Sequence, residues 1–143
     1  RLHGVFLHKV DRKSSMLLRG NDDVFWAPHS RNTGNRLEDI LAEPRLRVIA
    51  TSEEAGPYAL MTDNGKQVFI AGHPEYDALS LAEEYLRDLS AGKNPAVPEN
   101  YFPGDDPSAR PIKKWRAHAN LLYSNWLNYY VYQTTPYDIN TIA

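Results

Sequence analysis

The sequence predicts an α/β chain in which a β-hairpin or meander is combined with two main helices. Three observations carry that prediction. Asp63-Asn64-Gly65-Lys66 lies between two short apolar runs, the strongest local hairpin signal. Residues 77–89 place Ala78, Leu81, Ala82, Tyr85, Leu86 and Leu89 on one helical stripe. Residues 112–133 carry a second helical pattern, with Trp115, Ala119, Leu122, Trp126 and Tyr129 on one face.

The elements follow in order. Val5–Val10 reads as a strand. Met16-Leu17-Leu18 is a short apolar run closed by Gly20, and Val24–Ala27 is another that Pro28 should stop. A polar loop spans Arg31–Asn35. Arg36–Glu43 reads as a short helix, with Leu37, Ile40 and Leu41 at helical spacing and Pro44 as its end. Leu46–Thr51 alternates as a strand. Tyr58–Met61 and Gln67–Ala71 flank the Asn-Gly turn, which as a type I′ turn needs positive φ at both central residues. Residues 46–71 therefore read as three consecutive strands. Asp77 is the expected N-cap of the next helix and Gly92 its expected stop. Residues 93–111 hold five of the ten prolines, a long covering loop that Tyr101 and Phe102 should pin to the body. In the last helix, apolar and aromatic residues occur all round from Leu121 on, which predicts burial on most sides until Pro136 ends it.

Composition narrows the function. The chain has 143 residues, which fits one domain with one core. Its net charge of −2 gives no basic footprint for nucleic acid. No apolar run approaches membrane-spanning length, and the opening RLHGVFLHKV lacks a signal-peptide pattern. There is no cysteine, so the chain itself holds no disulfide, zinc thiolate or thiol nucleophile. The first residue is Arg rather than Met, which suggests a fragment or a processed chain.

The chemistry concentrates in Phe69-Ile70-Ala71-Gly72-His73-Pro74-Glu75-Tyr76-Asp77, a strand end running toward a helix. Catalytic groups gather at such strand ends in α/β sheets. Gly72 permits close backbone approach, and Pro74 biases His73 toward extended geometry. In an extended segment, i and i+2 face one side, so His73 and Glu75 can meet. An imidazole with a carboxylate is the base-and-orienter part of a catalytic triad. Three readings stay open on spacing alone. The pair is a strand-end histidine beside a surface glutamate, or an acid–base pair awaiting a nucleophile. Or His73, Glu75 and Asp77 bind a metal, with His29 or His118 as the second imidazole.

No nucleophile is evident. Ser30 follows His29, but neighbours on an extended segment point apart, so His29 is badly placed to activate it. Ser30 reads as a loop cap or a ligand contact. Arg87 follows Glu83 and Glu84 at helical spacing, which fits either a surface ion-pair cluster or a guanidinium forking onto a substrate carboxylate. The aromatic stripe of the last helix reads as core rather than as a stacking platform.

Longer motifs then resemble a known family. Phe25-Trp26-Ala27-Pro28-His29-Ser30-Arg31, Gly72-His73-Pro74-Glu75-Tyr76-Asp77, Asn100-Tyr101-Phe102-Pro103, and Asn125 to Gln133 through Thr135-Pro136-Tyr137-Asp138 are similar to the carboxyl-terminal half of homoserine O-acyltransferases. The family includes succinyl and acetyl transferases. The resemblance implies a class I glutamine-amidotransferase-like (flavodoxin-like) α/β fold. It implies transfer of an acyl group from succinyl-CoA or acetyl-CoA to the hydroxyl of L-homoserine through an acyl-cysteine, in methionine biosynthesis. By it, His73 is the base, Glu75 orients it, and Ser30 and Arg87 bind substrate. The co-substrate is acyl-CoA, with no permanently bound cofactor and no metal.

The resemblance also implies that residues 1–143 are a carboxyl-terminal half, inactive alone, whose amino-terminal half carries the cysteine and docks onto it. A homodimer and a cytoplasmic location follow by the same analogy, with no nucleic-acid or membrane partner. Arg1 stands where the family usually has a substrate-contacting lysine; it keeps the charge but not the shape. Two other functions remain: a glutamine-amidotransferase-type hydrolase subunit, or a non-catalytic amino-acid-binding or interaction domain.

Overall fold

A computed structural model describes residues 1–135 and Asn140. Five strands form one antiparallel sheet in the order β2-β1-β3-β4-β5: β1 (Leu2–Val10), β2 (Val24–Arg31), β3 (Leu46–Ser52), β4 (Gly56–Thr62) and β5 (Val68–Ile70). Three α-helices accompany it: α1 (Leu37–Leu41), α2 (Ser80–Ser90) and α3 (Arg116–Asn125). The α/β class and the β3-β4-β5 meander agree with the sequence reading. The flavodoxin-like parallel sheet does not appear among the described residues; every strand pairing here is antiparallel.

Several boundaries differ for identifiable reasons. Strand β2 does not stop at Pro28 but continues to Arg31, with Pro28 opposite Val5. It is an outer strand, where a residue without an N–H need not break a ladder. The Asn-Gly turn is not type I′. Only Gly65 has positive φ, +68°, and its N–H donates to Thr62 O at 2.9 Å. The loop is longer than two residues, since Thr62 N–H reaches Gln67 O at 3.0 Å, and longer hairpin loops are built around ordinary turns. Asn64 Oδ1 instead holds the loop by accepting from Thr62 Oγ1 and Lys66 N–H.

Helix α2 begins at Ser80, not Asp77. The N-cap is Leu79, without a side-chain cap, and the Asp77 N–H donates to Ser80 Oγ at 3.0 Å. The helix stops at Gly92 as expected: Gly92 N–H bonds Leu89 O and Lys93 N–H bonds Asp88 O, the paired bonds of a Schellman end. Its inward face is Leu81, Tyr85 and Asp88, so Leu86 and Leu89 of the predicted stripe face solvent.

The last helical stretch starts at Arg116 and passes into a π-helix over Trp126–Tyr132. Trp115, Ala119 and Leu122 are buried, as the stripe predicts. The predicted burial on most sides from Leu121 on fails: Leu122 and Asn125 face inward, but Tyr123, Trp126, Leu127 and Tyr132 are exposed, with none of the described elements packed over them. Pro136, Tyr137 and Asp138, part of the last motif, lie outside the described residues.

Two apolar clusters hold the parts together. One joins Phe25, Ala27, Ile49, Ala50, Tyr58 and Ala59 of the sheet to Leu17, Leu18 and Leu122. Buried Asn125 ties the same region by donating to Leu17 O (3.1 Å) and Arg19 O (2.8 Å). The other joins Val5 to Leu81, Tyr101, Phe102, Trp115 and Ala119. Burying each such large side chain contributes about 1.5–3 kcal/mol, enough to fix the proline-rich loop. That loop also lies along β1, through Val5 N–H to Glu99 O and Glu99 N–H to His3 O. Tyr101 and Phe102 pin it as the sequence suggested, the Tyr101 hydroxyl donating to Ala78 O. Among the described residues, no helix is long and apolar enough to cross a membrane.

Candidate active site

Strand β5 delivers the chain into Ala71-Gly72-His73, and β2 fixes where it arrives. Ala71 N–H donates to Tyr58 O and His73 N–H to Pro28 O, both at 2.8 Å. Gly72 is required by space: a Cβ there would stand 2.7 Å from Tyr58 Cε2 and 2.9 Å from Pro28 O. Tyr58 is fully buried, so making room would mean shifting a packed ring or the Pro28 backbone. Pro74 keeps His73 out of helical geometry, and the Tyr76 N–H returns to His73 O at 3.1 Å, closing a turn.

Within that turn, His73 Nδ1 lies 2.8 Å from Glu75 Oε1. The two side chains meet, as the sequence suggested, but through the turn rather than along an extended segment. An ionised carboxylate only accepts, so Nδ1 carries the proton in a neutral ring and Nε2 keeps its lone pair. Both side chains are partly exposed, 36% for His73 and 54% for Glu75. The Tyr76 ring stacks on the imidazole, with centroids 4.4 Å apart and planes 15° apart.

Tyr76 leads to the other predicted residues. Its hydroxyl donates to Glu84 Oε1 at 2.6 Å, and Trp115 Nε1–H donates to Tyr76 O at 2.9 Å. The second Glu84 oxygen accepts from Ser30 Oγ at 2.5 Å and lies 3.4 Å from His3 Nε2. Ser30 thus joins the cluster through Glu84, with its proton already committed. Partial burial opposes charge on Glu84. The hydrogen bonds from Ser30 and Tyr76, with the nearby His3 and Arg87, outweigh it and hold the carboxyl below its usual range. Burial and the Glu84 hydrogen bond both push the Tyr76 phenol up, so it remains a donor.

Arg87 lies one turn further along α2. Its expected partners were Glu83 and Glu84; instead Nη2 and Nε lie 3.3 and 3.4 Å from Asp88 Oδ1. Asp88 is buried and also meets Arg1 at 2.6 Å and Lys93 at 3.2 Å. The Arg1 hydrogen bond leads in pulling the Asp88 carboxyl down to about 2. With three cations around one carboxylate, the exposed Arg87 guanidinium retains donors and positive charge for another anion.

Of the residues of the metal reading, His73 and Glu75 meet, while Asp77, His29 and His118 are engaged elsewhere. His29 is buried, with Nε2 3.0 Å from Nε2 of the equally buried His8. Its burial on the face opposite Ser30 is the alternation expected of β2. Burial, then the neighbouring His8, lower His29 to about 3, and burial lowers His8 to about 4, so both rings are neutral at pH 7. His118 pairs with Asp22 at 3.2 Å, and Asp77 lies exposed, 3.8 Å from Lys113. Among the described residues, no group of three or more His, Cys, Asp or Glu is placed to hold a metal ion.

Sequence reasoning missed Tyr76, Glu84 and Asp88. Tyr76 was visible inside the His-Pro-Glu-Tyr-Asp motif, but stacking on a residue three positions back needs the turn. Glu84 and Asp88 look like ordinary surface charges until α2 is packed.

The fold and this cluster define an α/β chain that carries a histidine–carboxylate pair at a strand end. The family model for homoserine O-succinyltransferase matches residues 1–137, and the chain belongs to that family. It is 55% identical over 143 residues to a homoserine O-acetyltransferase of Methanomethylophilus alvi, covering 100% of this chain and 46% of that one. A homoserine O-acetyltransferase of Lachnospira eligens is 54% identical over 140 residues, 98% of this chain and 45% of the relative. A homoserine O-succinyltransferase of Tolumonas auensis is 54% identical over 142 residues, 99% and 45%. The chain spans a little under half the length of these curated relatives. The crystal structure of SMU.1228c shares the fold, with TM-score 0.60 at 15% identity, over 87% of this chain and 50% of that one.

Proposed function

We propose that this chain supplies the base and the acceptor-binding side of a homoserine O-acyltransferase. The observation that carries this is the 2.8 Å contact between His73 Nδ1 and Glu75, which leaves Nε2 free to take a proton. A cysteine outside this segment is the nucleophile. His73 Nε2 takes its thiol proton as sulfur attacks the thioester carbonyl of acetyl-CoA or succinyl-CoA. The coenzyme A sulfur leaves with that proton, and an acyl-cysteine remains. His73 Nε2 then takes the hydroxyl proton of L-homoserine while its oxygen attacks the acyl carbon. The cysteine sulfur leaves and recovers the proton, giving O-acylhomoserine, an intermediate on the route to methionine. Glu75 holds the ring in the working tautomer and balances the imidazolium.

Arg87 is suited to the carboxylate of homoserine, because its donors are accessible and its stem is held by α2. The Ser30 hydroxyl donates its hydrogen bond to Glu84, so it offers lone pairs to a donor on the substrate. Relatives of equal identity are named for acetyl and for succinyl transfer, which fits a donor pocket lying mainly outside this segment.

We take residues 1–143 to be the carboxyl-terminal half of a class I glutamine-amidotransferase-like domain. The exposed apolar face of Phe69, Tyr123, Trp126 and Leu127 is where the other half would dock. The test uses the complete gene product with L-homoserine and each acyl-CoA. One O-acylhomoserine should form per coenzyme A thiol released. Glutamine hydrolysis without O-acylhomoserine would overturn the reading in favour of an amidotransferase-type hydrolase.

A further inference from the structure

We propose that Tyr76, anchored by Glu84, is a positioning residue for His73; this rests on His73 acting as the base. Among the described residues the imidazole has one tether at its edge, Glu75, and Glu75 is itself more than half exposed. One hydrogen bond to an exposed carboxylate leaves the ring able to rotate out of plane. The Tyr76 ring removes that freedom by covering one imidazole face at 4.4 Å and 15°.

Tyr76 can act as a backstop because it is fixed at both ends. Its backbone carbonyl accepts from the buried Trp115 indole, and its N–H closes the turn on His73 O. Its hydroxyl donates to Glu84, whose other oxygen is occupied by Ser30. A phenol donating to a carboxylate also gains electron density on its ring. The imidazolium formed during turnover then rests against the face of an electron-rich ring, a favourable cation–π arrangement. Glu84 thereby couples the geometry of the base to that of Ser30. No step passes through Tyr76; it touches the base, and the base touches the reacting atoms.

The test uses steady-state kinetics of the full-length enzyme carrying Tyr76→Phe or Tyr76→Leu, with melting temperature measured alongside. Tyr76→Phe keeps the ring but loses the anchor; kcat should fall about 3- to 10-fold. Tyr76→Leu keeps apolar volume but loses the flat face; kcat should fall at least about tenfold. In both, KM for homoserine and acyl-CoA should stay within about twofold. If Tyr76→Leu does not fold, the Phe variant decides. Wild-type kcat in Tyr76→Phe overturns the proposal, whatever its melting temperature. A rise in KM at unchanged kcat also overturns it, by making Tyr76 a binding residue. Activity retained by His73→Ala would instead remove the reading on which it rests.

Discussion

His73 Nδ1 and Glu75 Oε1 meet at 2.8 Å inside a turn, where Pro74 and the return bond from the Tyr76 N–H to His73 O bend the chain between them. The pairing is local, so it depends on little else in the fold. Replacing Glu75 with Gln keeps the shape and removes the charge. The full-length enzyme should then lose about 10- to 100-fold in kcat, with KM for both substrates little changed. Steady-state kinetics check this; wild-type kcat would show that Glu75 is only a surface carboxylate.

Gly72 sets the height of the strand end over β2. In Gly72→Ala the new methyl must push against the Tyr58 ring and the Pro28 carbonyl. Overpacking of this kind costs about 1–3 kcal/mol. Urea denaturation should show that loss, and activity should fall as His73 shifts. Unaltered stability would mean that the β5–β2 contact relaxes freely.

The His8–His29 pair makes stability depend on pH. Both rings are neutral when folded, with values lowered to about 4 and about 3 chiefly by burial, against about 6.5 when unfolded. Between pH 6.5 and those values, the unfolded chain binds more protons than the folded one. Stability is therefore full above pH 6.5 and declines as the pH falls toward 4 and 3. From pH 7 to 5 the loss is about 2 kcal/mol per imidazole taken singly. Asp88, at about 2, does not titrate in that window. Urea unfolding at pH 7 and pH 5 checks this, and equal midpoints would contradict it.

Arg87 separates charge from shape. Arg87→Lys keeps the cation but loses the planar fork. KM for homoserine should rise about tenfold while kcat stays close to wild type. An unchanged KM would assign Arg87 to its surface contact with Asp88 alone.

The local rules read well in this sequence. The Schellman end at Gly92, the pinning of the proline-rich loop by Tyr101 and Phe102, and the His73/Glu75 pair all depend on residues a few positions apart or on unambiguous burial. Two local readings failed, the type I′ turn at Asn64-Gly65 and the Asp77 cap; the other failures were tertiary. Pro28 sits inside a strand because β2 is an outer strand, a fact about sheet order. Asp88 displaces the predicted apolar face of α2 because Arg1, Arg87 and Lys93 neutralise it there. Trp126 and Leu127 follow a core pattern yet face solvent among the described elements. The Tyr76–Glu84–Ser30 chain joins three segments, the farthest 54 positions apart, which periodicity does not report.

The most direct test is the intact mass of the full-length enzyme, wild type and His73→Ala, after brief mixing with acyl-CoA and no homoserine. The wild type should gain the mass of one acyl group, lost when homoserine is added. His73→Ala should gain none on the same timescale. An acyl adduct that forms and discharges at wild-type rates in His73→Ala would contradict the role of His73 as the base.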